Sequence, residues 1–156
     1  MNTNFHRSNL HTALILALFI LTGIASSTDT PHRWFAYQSG LGADGYDLVA
    51  YFQDQRARKG NRNHAVDYAG QRWLFASQEN ADTFQQSPEQ YLPAYGSHCA
   101  FGASRGYLVR GDPQAWTVRN GQLYLNYSKA VRRTWLKSPD RYIKKADRFW
   151  ARLQQQ

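Results

Sequence analysis

The chain has one cysteine, Cys99, in the run Gly96-Ser97-His98-Cys99. A thiol at the start of a helix meets unpaired backbone N–H groups that favour thiolate, so it can ligate a metal or react. A free cysteine is equally at home as a small buried hydrophobe. His98 adds a ring nitrogen beside it, but neighbouring helical residues point about 100° apart, so one metal takes both only in a non-helical turn. His64 opens a hairpin further back and completes a His/Cys site only if the fold brings it near. Asp47, next to an apolar run, reads as a ligand, as an acid or base, or by default as the cap of a turn.

A soft thiolate with imidazole suits Cu(I). A single cysteine excludes four-thiolate zinc sites, cysteine-ligated iron–sulfur clusters and an internal disulfide. Tyr46, Tyr51, Tyr95, Phe101 and Trp116 serve either as an aromatic pocket for a small ligand or as core, and core is the commoner use. His-Glu-x-x-His does not occur, and a Cys–His pair alone lacks an orienting group and an oxyanion donor. The expectation is a binding module and not an enzyme; a cysteine-dependent redox activity is the least favoured alternative.

These residues need positioning elements. Leu48 to Phe52 is an apolar run of strand length, which a helical turn fits as well. Ala65–Tyr68 and Arg72–Phe75 flank Ala69-Gly70-Gln71 as a hairpin. Ser77 stands as the N-cap of a short helix through Ala81 and Phe84, closed by Ser87-Pro88. Trp116–Val118 and Gln122–Leu125 bracket Arg119-Asn120-Gly121, a second hairpin. Ser128 caps a helix carrying Val131, Trp135 and Leu136, and after Ser138-Pro139 the apolar residues Tyr142, Ile143, Ala146, Phe149, Trp150 and Leu153 recur at helical spacing. Strands, helix, strands, helices without βαβ alternation predict an α+β domain. Its small, mainly antiparallel sheet is built from hairpins and packs with one short central helix and two C-terminal helices. No internal repeat is read from the sequence.

The segments Gly45-Tyr46-Asp47-Leu48-Val49-Ala50-Tyr51-Phe52, Trp73-Leu74-Phe75-Ala76-Ser77 and Ser87-Pro88-Glu89-Gln90-Tyr91-Leu92-Pro93 resemble the YHS domain family. Tyr95 to Gly102, Asp112 to Trp116 and Leu123 to Asn126 resemble its longer, exported bacterial branch. The resemblance spans about 45 to 150 and implies a small α+β module linked with metal handling, copper above all. It also implies that metal-binding members carry cysteines at the positions of Ala50, Ala76 and Asn80. Carried over, it makes Cys99 the best metal ligand, with His98, His64 or Asp47 as helpers; the alternative is a module for a small molecule or partner with Cys99 as packing.

Ala13 to Ile24 is an uncharged run behind His6, Arg7 and His11. It fits the ~7–15 residues of a signal-peptide core and falls short of the ~20 that span a bilayer. Gly23 and Ala25 suit a cut after Ala25, which predicts a leader over 1–25, a linker over 26–44 and one domain over 45–153, exported to the periplasm or beyond. The formal net charge is +8, with the basic residues concentrated from Lys129 to Arg152. Export removes nucleic acid as a partner, leaving solvation first and weak contact of the basic C-terminal helices with an anionic membrane surface second.

Overall fold

The computed structural model describes residues 40–155, so the expected leader and most of the linker lie outside the described residues. A tight turn at Gly42–Gly45, with Ala43 and Asp44 at left-handed φ of 47° and 54°, delivers the chain to Asp47. Asp47 caps helix α1 (Leu48–Gln53), accepting from the N–H groups of Val49 and Ala50. The apolar run read as strand-like is therefore a helix. Five apolar residues suit either state, and the cap decides by satisfying the first free N–H groups.

Strands β1 (Asn61–Tyr68) and β2 (Gln71–Phe75) pair antiparallel. Their turn, Ala69-Gly70, has φ of 53° and 73°, the positive values that a two-residue hairpin turn matching the strand twist requires. Helix α2 (Gln78–Gln86) starts where Ser77 Oγ accepts from Asn80 N–H at 3.2 Å. Helix α3 (Pro88–Tyr91) follows, with proline in its first turn.

The same series of elements then occurs again. A second tight turn, Ala94–Ser97, has Tyr95 and Gly96 at φ of 56° and 58°. Cys99 caps helix α4 (Ala100–Ala103) as Asp47 caps α1. Strands β3 (Asp112–Arg119) and β4 (Gln122–Asn126) form a hairpin closed by Asn120-Gly121, with φ of 50° and 74°. Ser128 Oγ caps α5 (Lys129–Trp135) through Val131 N–H at 3.2 Å, and Ser138-Pro139 opens α6 (Pro139–Gln154).

The correspondence extends to single hydrogen bonds. Asp47 N–H donates to Arg58 O at 2.9 Å, and Cys99 N–H to Val109 O at 2.8 Å. Gly60 N–H donates to Gly45 O, and Gly111 N–H to Ser97 O. A Cβ at Gly60 would meet the carbonyl carbon of Leu74 at 2.3 Å, and one at Gly111 would meet Leu125 Cβ at 2.5 Å. The two glycines thus press on the same position of the two hairpins. Leu41 and Pro93 make matching parallel bridges to Arg72 and Leu123. The described chain is a tandem of two like units, which overturns the reading without a repeat.

The α+β class holds. Instead of one sheet, the described residues form two separate two-stranded sheets, one per unit. The larger core joins Leu48, Val49, Tyr51, Trp73, Phe75 and Phe84 to Leu123 and Leu125 of the second hairpin, so β4 locks the units together. A second core gathers Tyr95, Tyr124 and Trp135 under α6, which outgrows its counterpart α3 and lays Tyr142, Ile143, Phe149 and Trp150 against α4. Among the described residues no helix is long and apolar enough to cross a membrane.

Candidate functional site

Each unit has a corner where its first helix, the end of its second strand and the next helix meet. In the first unit the corner is polar and closed. Asp47 is fully buried, and beyond the two α1 N–H groups its Oδ2 accepts from Ala76 N–H at 2.8 Å and from Asn80 Nδ2 at 2.7 Å. Ala76 and Asn80, two of the positions where the resemblance places cysteines in metal-binding members, thus meet at this corner as donors to one carboxylate. Four donors consume its lone pairs, so the default cap reading of Asp47 describes what the side chain does.

In the second unit the same corner is apolar and open. Cys99 stands in the place of Asp47, Tyr127 in that of Ala76 and Val131 in that of Asn80. Cys99 Sγ accepts from Gly102 N–H at 3.3 Å, and the thiol lies 3.8 Å from Asn126 Oδ1, which also accepts from Phe101 N–H at 3.3 Å. The residue is 1% exposed, so both readings of its burial meet here: it packs as a small hydrophobe and caps a helix. Asn126 is also buried, and its Nδ2 has no hydrogen-bond partner among the described residues.

A cavity of about 260 Å³ opens over this thiol, lined by Cys99, Phe101, Tyr107, Val109, Tyr127 and Val131. Tyr107 and Tyr127 are 53% and 60% exposed, two of the three large apolar side chains left exposed among the described residues. Exposed aromatic surface around a concave apolar floor marks a place built to be covered.

His98 neighbours Cys99 in sequence, but its ring turns to Tyr95 O, 2.8 Å from Nδ1, and packs against Trp150. Burial pushes its pKa below the ordinary value, while the bond to the Tyr95 carbonyl works the other way. His64 lies on β1, 3.4 Å from Gln78 Oε1, and Asp47 is in the other unit's corner. Among the described residues no three His, Cys, Asp or Glu side chains gather where they could hold a metal ion. The Cys99 sulfur caps a helix, and among the described residues no imidazole or carboxylate lines its cavity. Of the five aromatics weighed as a pocket, Tyr46 and Tyr95 are buried in the cores, Tyr51 and Trp116 border one cavity, and Phe101 borders another. Tyr107 and Tyr127 were not foreseen, because a loop and the end of β4 come together only in the folded chain.

The family model of the YHS domain matches residues 49–95. The match runs from within α1 through the first hairpin to Tyr95 of the second tight turn, so the similarity to the YHS domain falls on the first unit. The second unit repeats that architecture outside the matched residues. A YHS unit supports metal handling as the broad class of function, without reaching copper or Cys99. No curated protein and no solved structure matches the chain.

Proposed function

We propose that the protein is a non-catalytic binding module whose site is the cavity of the second unit, and that its ligand is a small, mainly apolar molecule. The observation that carries this reading is the exchange at the shared corner. The YHS unit fills it with a four-bonded carboxylate, and the second unit opens it over a thiol, with Tyr107 and Tyr127 at its edge. Burying those two rings against a ligand is favourable at about 25 cal/mol per Å² of apolar surface. Exported residence, read from residues 1–25, suits a module whose single cysteine is kept buried, away from oxidation and intermolecular pairing.

The test is calorimetric titration of the protein with indole, beside a Cu(I) competition assay, on wild type, Val131→Trp and Cys99→Ser. Indole bound by wild type and lost on filling the cavity with tryptophan is the expected result. Stoichiometric Cu(I) uptake that Cys99→Ser abolishes, with no indole binding, would overturn the reading in favour of metal handling through the thiol.

A further inference from the structure

A second cavity, of about 310 Å³, lies where the two units meet. Its walls come from α1 of the YHS unit (Tyr51, Phe52 and, just beyond, Gln55) and from the second unit (Trp116 and Thr117 of β3, Arg132 of α5). Tyr51 donates its hydroxyl to Pro113 O at 2.8 Å, which fixes the ring. That ring stands 5.2 Å from Trp116, tilted at 55°. Phe52 is held edge-on by Tyr91 at 5.3 Å. The result is a preset aromatic box at the low end of small-ligand pocket sizes, about 300–1,000 Å³.

Arg132 gives the box a charge. Its Nε donates to Thr117 Oγ1 at 2.8 Å, which orients the guanidinium. Its two Nη groups have no acceptor among the described residues, it enters no ion pair there, and no acidic side chain lines the cavity. The matching positions of the YHS unit hold Ala81 and Val66, both buried in the core, so this Arg–Thr pair is a feature of the second unit alone. A half-buried guanidinium with its forked edge unpaired offers two charge-assisted donors to a planar anion. Carboxylates match that fork in two parallel hydrogen bonds.

We propose that this junction cavity binds a small aromatic carboxylate, its ring in the box of Tyr51, Phe52 and Trp116 and its carboxylate on Arg132. This site is separate from the Cys99 cavity and needs neither the thiol nor a metal.

Calorimetry with phenylacetate and its neutral analogue phenylacetamide tests it, read on wild type and Arg132→Met. Wild type should bind the acid about tenfold or more tightly than the amide, the scale of a hydrogen bond to a charged group. Arg132→Met should bring the acid down to the level of the amide and leave the amide unchanged. Equal affinity of wild type for acid and amide, or no binding of the acid, would overturn the proposal. That comparison stands on wild type alone even if Arg132→Met were to misfold. Unchanged binding of the acid to a folded Arg132→Met would overturn it too.

Discussion

Replacing Asp47 by alanine removes one side chain and strands four donors. Two of them, the N–H groups of Val49 and Ala50, belong to the helix cap, and losing an ordinary N-cap costs about 1 kcal/mol. The other two, Ala76 N–H and Asn80 Nδ2, tie α1 to the end of β2 and to α2 across a fully buried corner. A buried donor left unpaired costs about 1–3 kcal/mol. The sum is about 3–7 kcal/mol, and water entering the space of the lost carboxylate favours the lower half. The expected loss is about 3–5 kcal/mol, a large part of the roughly 5–15 kcal/mol that holds a domain folded. Asp47→Asn should lose much of the same, because its amide would turn a donor toward two donors. Urea unfolding followed by tryptophan fluorescence measures this, with Trp73 reporting from the YHS unit and Trp135 from the second, both fully buried. A loss of about 1 kcal/mol or less would show that Asp47 is only a helix cap and refute its role as the hub of the corner.

Gly60→Ala and Gly111→Ala should each destabilise the fold by about 1–3 kcal/mol in the same denaturation assay, since the new methyl runs into Leu74 or Leu125 at matching places in the two units. Stability should also fall on acidification. His98 is kept neutral by burial, so below its ordinary pKa of 6.5 the unfolded chain takes up a proton that the folded chain refuses. The loss begins as pH drops through that value and levels off below the lowered folded pKa. Unfolding midpoints between about pH 8 and pH 5 should show this step in wild type and lack it in His98→Gln.

Local signals in the sequence located most elements. Asn120-Gly121 and Ala69-Gly70 mark the hairpin turns, and Ser77 and Ser128 begin their helices, because turns and caps are decided by a few adjacent residues. The helical state of Leu48–Gln53 depends on an aspartate just outside the apolar run, which a reading of periodicity alone does not weigh. The repeat was hidden because the units share their punctuation more than their cores. Gly70 and Gly121, Ser77 and Ser128, and Ser87-Pro88 and Ser138-Pro139 all recur at one spacing of 51 residues. Trp73 faces Tyr124 in that alignment and Phe84 faces Trp135, so the packing residues differ while the turns persist. Cys99 was legible as a residue at a helix start, and so was the absence of a thiolate set. Its cavity was not, because Tyr107, Tyr127 and Val131 meet over the sulfur only once the segment at Cys99 bridges both Leu125 of β4 and the loop after α4 at Val109. Arg132 was legible only as one charge in a basic segment; its bond to Thr117 is a tertiary fact.

The most direct test of the central claim is residue-resolved NMR of the nitrogen-labelled protein during titration with indole. The account predicts saturable shifts confined to Cys99, Phe101, Tyr107, Val109, Tyr127 and Val131, the lining of the second unit's cavity. Shifts absent from those residues at saturating indole would contradict it.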